Sequence, residues 1–66
     1  PEAECPRLQK LIAETQGLLE ATTGKLGNAK FVEKAPAEVV AKEHAKAAEF
    51  TATLDRLRGQ LEQLGC

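Results

Sequence analysis

The chain has no Met, Trp or Tyr, and its only aromatic side chains are two Phe, 3% of 66 residues. A core with so few large rings buries little area per residue, so an enzyme that encloses its substrate is not expected. Long apolar runs are also missing. No stretch approaches the roughly 18 residues that span a bilayer, and no basic-then-apolar leader opens the chain. Nor is there a charge excess: nine basic residues face ten acidic ones, a net charge of −1. That balance gives no global attraction to nucleic acid or to an anionic membrane, so any electrostatic targeting has to be local. The expectation is one soluble domain over residues 1–66, with no membrane partner, no small-molecule substrate and no cofactor.

The soft ligands are as sparse. His44 is the only histidine and Cys5 and Cys66 are the only cysteines, which falls short of the three or four closely spaced ligands a zinc site needs. A catalytic thiolate needs a neighbouring base and a partly enclosed site, and neither is available to a chain-terminal Cys in so small a protein. Two readings of the pair stay open: a disulfide joining the two ends, or a terminal Cys added for coupling, which leaves Cys5 unexplained. Closing a loop of about 62 residues is worth roughly 4 kcal/mol on the chain-entropy estimate, and the disulfide is the expectation.

What the chain does have is a heptad rhythm. Leu8, Ile12, Thr15, Leu19, Thr22 and Leu26 alternate four and three apart, the seam of an amphipathic coiled-coil strand with two Thr in place of aliphatics. Pro6 suits the first helical position, and Gly24, Gly27 and Asn28 mark an end, so the spacing predicts a first helix over about 6–26. A second seam, Val40, Glu43, Ala47, Phe50, Leu54, Leu57, Leu61 and Leu64, keeps the rhythm unbroken, and with Pro36 in the first turn it predicts a helix over about 36–64. Such a helix is a rod of roughly 42 Å. Residues 27–35 form the tip, with Asn28 expected to cap a helical turn and Phe31 and Val32 to fold back on Leu26, Val39 and Val40.

Helices joined by so short a connection pack antiparallel, and facing residues have numbers totalling about 69, which sets Leu19 against Phe50 and Ile12 against Leu57. The two ends then meet where the cysteines stand. The fold class is therefore all-α: an antiparallel two-helix coiled-coil hairpin with a short structured tip, its ends joined by a disulfide.

The run Lys25-Leu26-Gly27-Asn28-Ala29-Lys30-Phe31-Val32-Glu33-Lys34-Ala35-Pro36-Ala37-Glu38-Val39-Val40 resembles the turn of the C-terminal coiled-coil arm of bacterial valyl-tRNA synthetases, which has the form K-L-x-N-x-x-F-V-x-K-A-P-x-E-V-V between two Leu-rich helices. The likeness covers about residues 7–65. It implies an antiparallel hairpin that leans on the elbow of tRNA, a non-catalytic appendage of a cytoplasmic synthetase whose aminoacylation and editing lie in other domains. Charge placement is in keeping with it. Between Gly24 and Lys46 stand Lys25, Lys30, Lys34, Lys42 and Lys46 against Glu33, Glu38 and Glu43, so the tip is net basic and suits phosphate. Lys25, Lys30 and Lys34 are the expected tRNA contacts.

The family gives no reason for paired cysteines, so Cys5 and Cys66 read as a staple engineered into an excised, recombinant hairpin carrying an oxidised disulfide. Gly17 and Gly59 fall on the outermost heptad positions, and Thr22, Thr23, Thr51 and Thr53 are weak helix formers. Leu11 and Leu18 flank the seam on the side of Thr53 and Gln60. The expectation drawn from these features is an engineered scaffold that docks a protein through Leu11, Leu18, Thr53 and Gln60, with tRNA binding by the basic tip as its alternative. A spacer without a partner is a third reading. His44 reads as a surface histidine.

Overall fold

The computed structural model describes residues 3–66, and the helical seams account for its architecture. Three helices follow in order: α1, Glu4–Leu26; α2, Ala29–Lys34; and α3, Ala37–Gln63. The long helices α1 and α3 lie antiparallel, with α2 closing the tip, in a rod of 47 × 14 × 13 Å. The cysteines at the open end are bonded to each other, Cys5 to Cys66, with 6.2 Å between their Cα atoms. This is the expected hairpin.

Packing follows the predicted seams. Leu8, Leu54 and Leu57 are buried, while Ile12, Leu19, Leu26, Val40, Phe50 and Leu61 are half-buried along the same interface. Thr22 is buried without an orphaned hydroxyl because its Oγ1 donates to the Leu18 carbonyl one turn back, at 3.0 Å. Thr23 and Thr51 do the same toward Glu20 and Ala47. This back-bonding lets weak helix formers sit in helices without an unsatisfied polar atom, and among the described residues no buried side-chain nitrogen or oxygen lacks a partner.

The ends differ from the sequence expectation in instructive ways. The first helix begins at Glu4, so Pro6 is its third residue rather than its first. The amide missing there is still one of the initial four that have no intrahelical acceptor, so the proline removes no bond. Pro36 stands just before α3 as its N-cap, with its carbonyl accepting from Val39 and Val40 at 3.0 and 3.1 Å. Gly27 ends α1 with φ −82°, a conformation open to any residue. Leu64 leaves the seam: it lies beyond the last residue of α3 and is 42% exposed.

Gly65 is where a glycine is required. It has φ +79°, while its amide donates to the Glu62 carbonyl and the Cys66 amide reaches the Leu61 carbonyl at 3.3 Å. These are the paired bonds of a Schellman cap. The left-handed step turns the chain off the α3 axis, and the next residue is the Cys66 that bonds to Cys5.

At the tip, Asn28 caps α2 as expected, its Oδ1 accepting the Lys30 amide at 3.0 Å. Phe31 is half-buried, but Val32 and Val39 are 40% and 39% exposed, so the apolar tip is thinner than the sequence reading had it. A six-residue helix turns one narrow face inward, and Phe31 occupies it.

Candidate nucleic-acid interface

The tip carries the chain's concentration of positive charge, and the fold arranges it in two different ways. Lys30 and Lys34 stand exposed on α2, and Lys42 is exposed on the first half of α3. Among the described residues none of these three is within ion-pair distance of a carboxylate. Their ammonium groups remain available to an anionic partner.

Lys25 and Lys46 are held. Both meet Glu43, a carboxylate placed in the apolar seam of α3, with Lys25 Nζ 3.2 Å from Oε1 and Lys46 Nζ 3.1 Å from Oε2. The Glu43 side chain is 6% exposed, and each lysine remains more than half exposed. Hydrogen bonds from Lys46 and then Lys25 hold the Glu43 carboxyl below its ordinary range, outweighing the burial that pushes the other way. Lys25 comes from the last turn of α1 and Lys46 lies one turn along α3 from Glu43, so this group joins the two long helices at the root of the tip. Its net charge is one positive. The sequence reading has Glu43 as a seam position and as one of three acidic residues near the tip, without pairing it; a carboxylate in an apolar seam, with Lys at i+3 and another Lys across the expected register, was the signal for the arrangement.

The residues expected to dock a protein occupy the sides of the rod. Leu11 and Leu18 are 36% and 54% exposed on α1, Thr53 is half-buried and Gln60 exposed on α3. Heptad position sets them on one face, but they converge on no common cavity. Thr53 lines a shallow depression with Glu49, Ala52 and Arg56, whereas Gln60 borders a groove of about 270 Å³ at the open end with Glu4, Arg7, Leu8, Gln63 and Leu64. Arg7 there donates to Glu4 at 2.6 Å, an exposed pair one turn apart. The opposite side of the rod is crossed by a hydrogen bond from Arg58 to Gln16 at 3.2 Å. His44 is exposed.

Among the described residues no group of three or more His, Cys, Asp or Glu is placed to hold a metal ion, and no helix is long and apolar enough to cross a membrane. The arrangement offers a slender rod with a cationic end, able to present ammonium groups to phosphates.

Comparison with known proteins shows the family of the whole chain. The family profile described as the valyl tRNA synthetase tRNA binding arm matches residues 2–65. The valine–tRNA ligase of Dechloromonas aromatica is 44% identical over 63 residues, 96% of this chain and 7% of that protein. The corresponding ligase of Deinococcus radiodurans is 46% identical over 57 residues, 86% of this chain and 6% of its own length. That of Psychrobacter arcticus is 45% identical over 64 residues, 97% of this chain and again 6% of its own length. The chain thus spans a small fraction of the curated relatives it matches. No solved structure gives a significant match.

Proposed function

This chain belongs to the valyl tRNA synthetase tRNA binding arm family, and from that membership we propose that it is a non-catalytic arm that grips folded tRNA at its elbow with the basic tip. The observation carrying the reading is the sorting of charge along the rod: five lysines against three glutamates between Gly24 and Lys46, in a chain whose overall charge is −1. Lys30 and Lys34, with Lys42 beside them, supply unpaired ammonium groups, and Lys25 contributes from its bond to Glu43. Each phosphate they neutralise releases counterions, so the association is electrostatic in origin and gives no base specificity of its own.

The test is titration of folded tRNA at several salt concentrations. Binding should weaken steeply as salt rises, and Lys30→Glu with Lys34→Glu should abolish it while helical circular dichroism is unchanged, since both side chains are exposed and unpaired. Salt-insensitive binding, or binding that survives the reversal, counts against the reading. Reversal at Lys25 is a poor probe because it would set a carboxylate against buried Glu43.

The exposure of Leu18, 54%, favours a second reading, in which the chain docks a protein through Leu11, Leu18, Thr53 and Gln60. On that reading Leu18→Ala weakens association with the partner by at least about 1 kcal/mol at nearly unchanged stability. An equal loss in both would return Leu18 to the core.

A further inference from the structure

Five lysines surround the tip, yet only two have a fixed place, and the residue that fixes them is a carboxylate. Taken as electrostatics alone this is an odd arrangement for an RNA-binding end, because Glu43 removes one positive charge from a surface that should gather them. Geometry offers a reason. The two ammonium groups meet different oxygens of one carboxylate, at 3.2 and 3.1 Å, so both are anchored at the same residue. Each ammonium has three hydrogens and gives one to Glu43, which leaves two on each for another acceptor. Both side chains are more than half exposed, whereas Glu43 lies beneath them at 6%.

We infer that Lys25 and Lys46, both held by Glu43, form a seat for one backbone phosphate of the RNA, with Glu43 as its positioning residue. The inference rests on the tRNA reading above and gives that site a fixed point. A phosphate arriving there meets two cations in place, with the buried carboxylate behind them. A free lysine loses rotamer freedom when it binds, while an anchored one has already lost it, so the seat binds at a smaller entropic penalty than Lys30, Lys34 or Lys42. It also spans α1 and α3, so a phosphate in it registers the RNA against the body of the hairpin as well as the small α2.

The sign of one substitution separates positioning from simple charge. Glu43→Gln adds one positive charge to the tip. If the lysines act only as diffuse cations, tRNA binding tightens; if Glu43 orients them, binding weakens by about threefold or more despite the added charge. Lys25→Gln and Lys46→Gln, made singly so that Glu43 keeps one partner, should each weaken binding and lower the salt slope by about 1, while Lys25→Arg and Lys46→Arg should retain it. Lys10→Gln, far from the tip on α1, should have no comparable effect. Helical circular dichroism of every variant checks the fold, and if Glu43→Gln does not fold, Glu43→Asp, which withdraws the carboxylate by one methylene, should weaken binding in the same sense.

Unchanged or tighter binding by the Glu43 variant, or single lysine variants no weaker than Lys10→Gln, would overturn the seat while leaving the tRNA reading standing. An unaltered chain that binds no tRNA would overturn both.

Discussion

Alanine at Gly17 or Gly59 and alanine at Gly65 should move stability in opposite directions. A Cβ at Gly17 or Gly59 meets nothing within 4 Å, so each change keeps the native contacts and gains about 1 kcal/mol of helix propensity. At Gly65 the space is equally open, but φ is +79°, and a side chain there costs roughly 1–2 kcal/mol. Denaturant midpoints of the three variants decide it. Glu43 gives a second test at this scale. Lys46 and Lys25 hold its folded-state carboxyl below the ordinary value of 4.5, so its contribution is fully present above that pH and is lost as pH falls through the lower folded value. Stability should decline on the acid side, and the decline should be shallower in Glu43→Gln, as thermal melts across that range would read. Glu4 is shifted the same way by Arg7, but as an exposed pair it should matter little. Gly65 was not legible in the sequence, and the Glu43 group left a signal there but not its geometry. The first needs the end of α3 to within one residue, and the expected helix ran on to Leu64; the second needs the rotation of α1 that brings Lys25 over α3.

Periodicity, by contrast, is a property of the sequence itself, and the elements follow it. Leu8, Leu54 and Leu57 were readable as core because three-and-four spacing admits one buried stripe per helix. Leu54→Ala should therefore cost roughly 2–5 kcal/mol, and Leu18→Ala, outside the stripe, under about 1 kcal/mol, both from equilibrium unfolding. The tip turn was legible through Asn28. Removing that cap with Asn28→Ala should cost about 1 kcal/mol, with faster amide exchange confined to α2 and its flanks. Thinner packing at Val32 was not legible, because a six-residue helix has too few turns for a pattern to show which face is inward, whereas Val39 lies on α3 one residue off the seam position held by Val40. The basic end could be read from composition along the chain, but which of its lysines are free and which are held depends on contacts made across α1 and α3.

For the molecule as a whole, a rod only 14 × 13 Å across has a core one layer thick, and the Cys5–Cys66 bond carries a large share of its stability. Thiol titration should find two reactive groups per chain only after reduction, and reduction should lower the unfolding free energy by roughly 4 kcal/mol, given a separation of 61 residues. The same bond decides how the molecule bears load. With the hairpin's two ends cross-linked at one point, tension applied between residue 3 and Cys66 runs across the sulfur bridge and bypasses α3 and all of α1 beyond Cys5. Reduction reroutes that tension into the helix pair, which then peels from the open end one heptad at a time, reaching the Glu43 group and the tip last. Pulled in an optical trap, the oxidised chain should behave as a short inextensible link, and the reduced chain as a zipper.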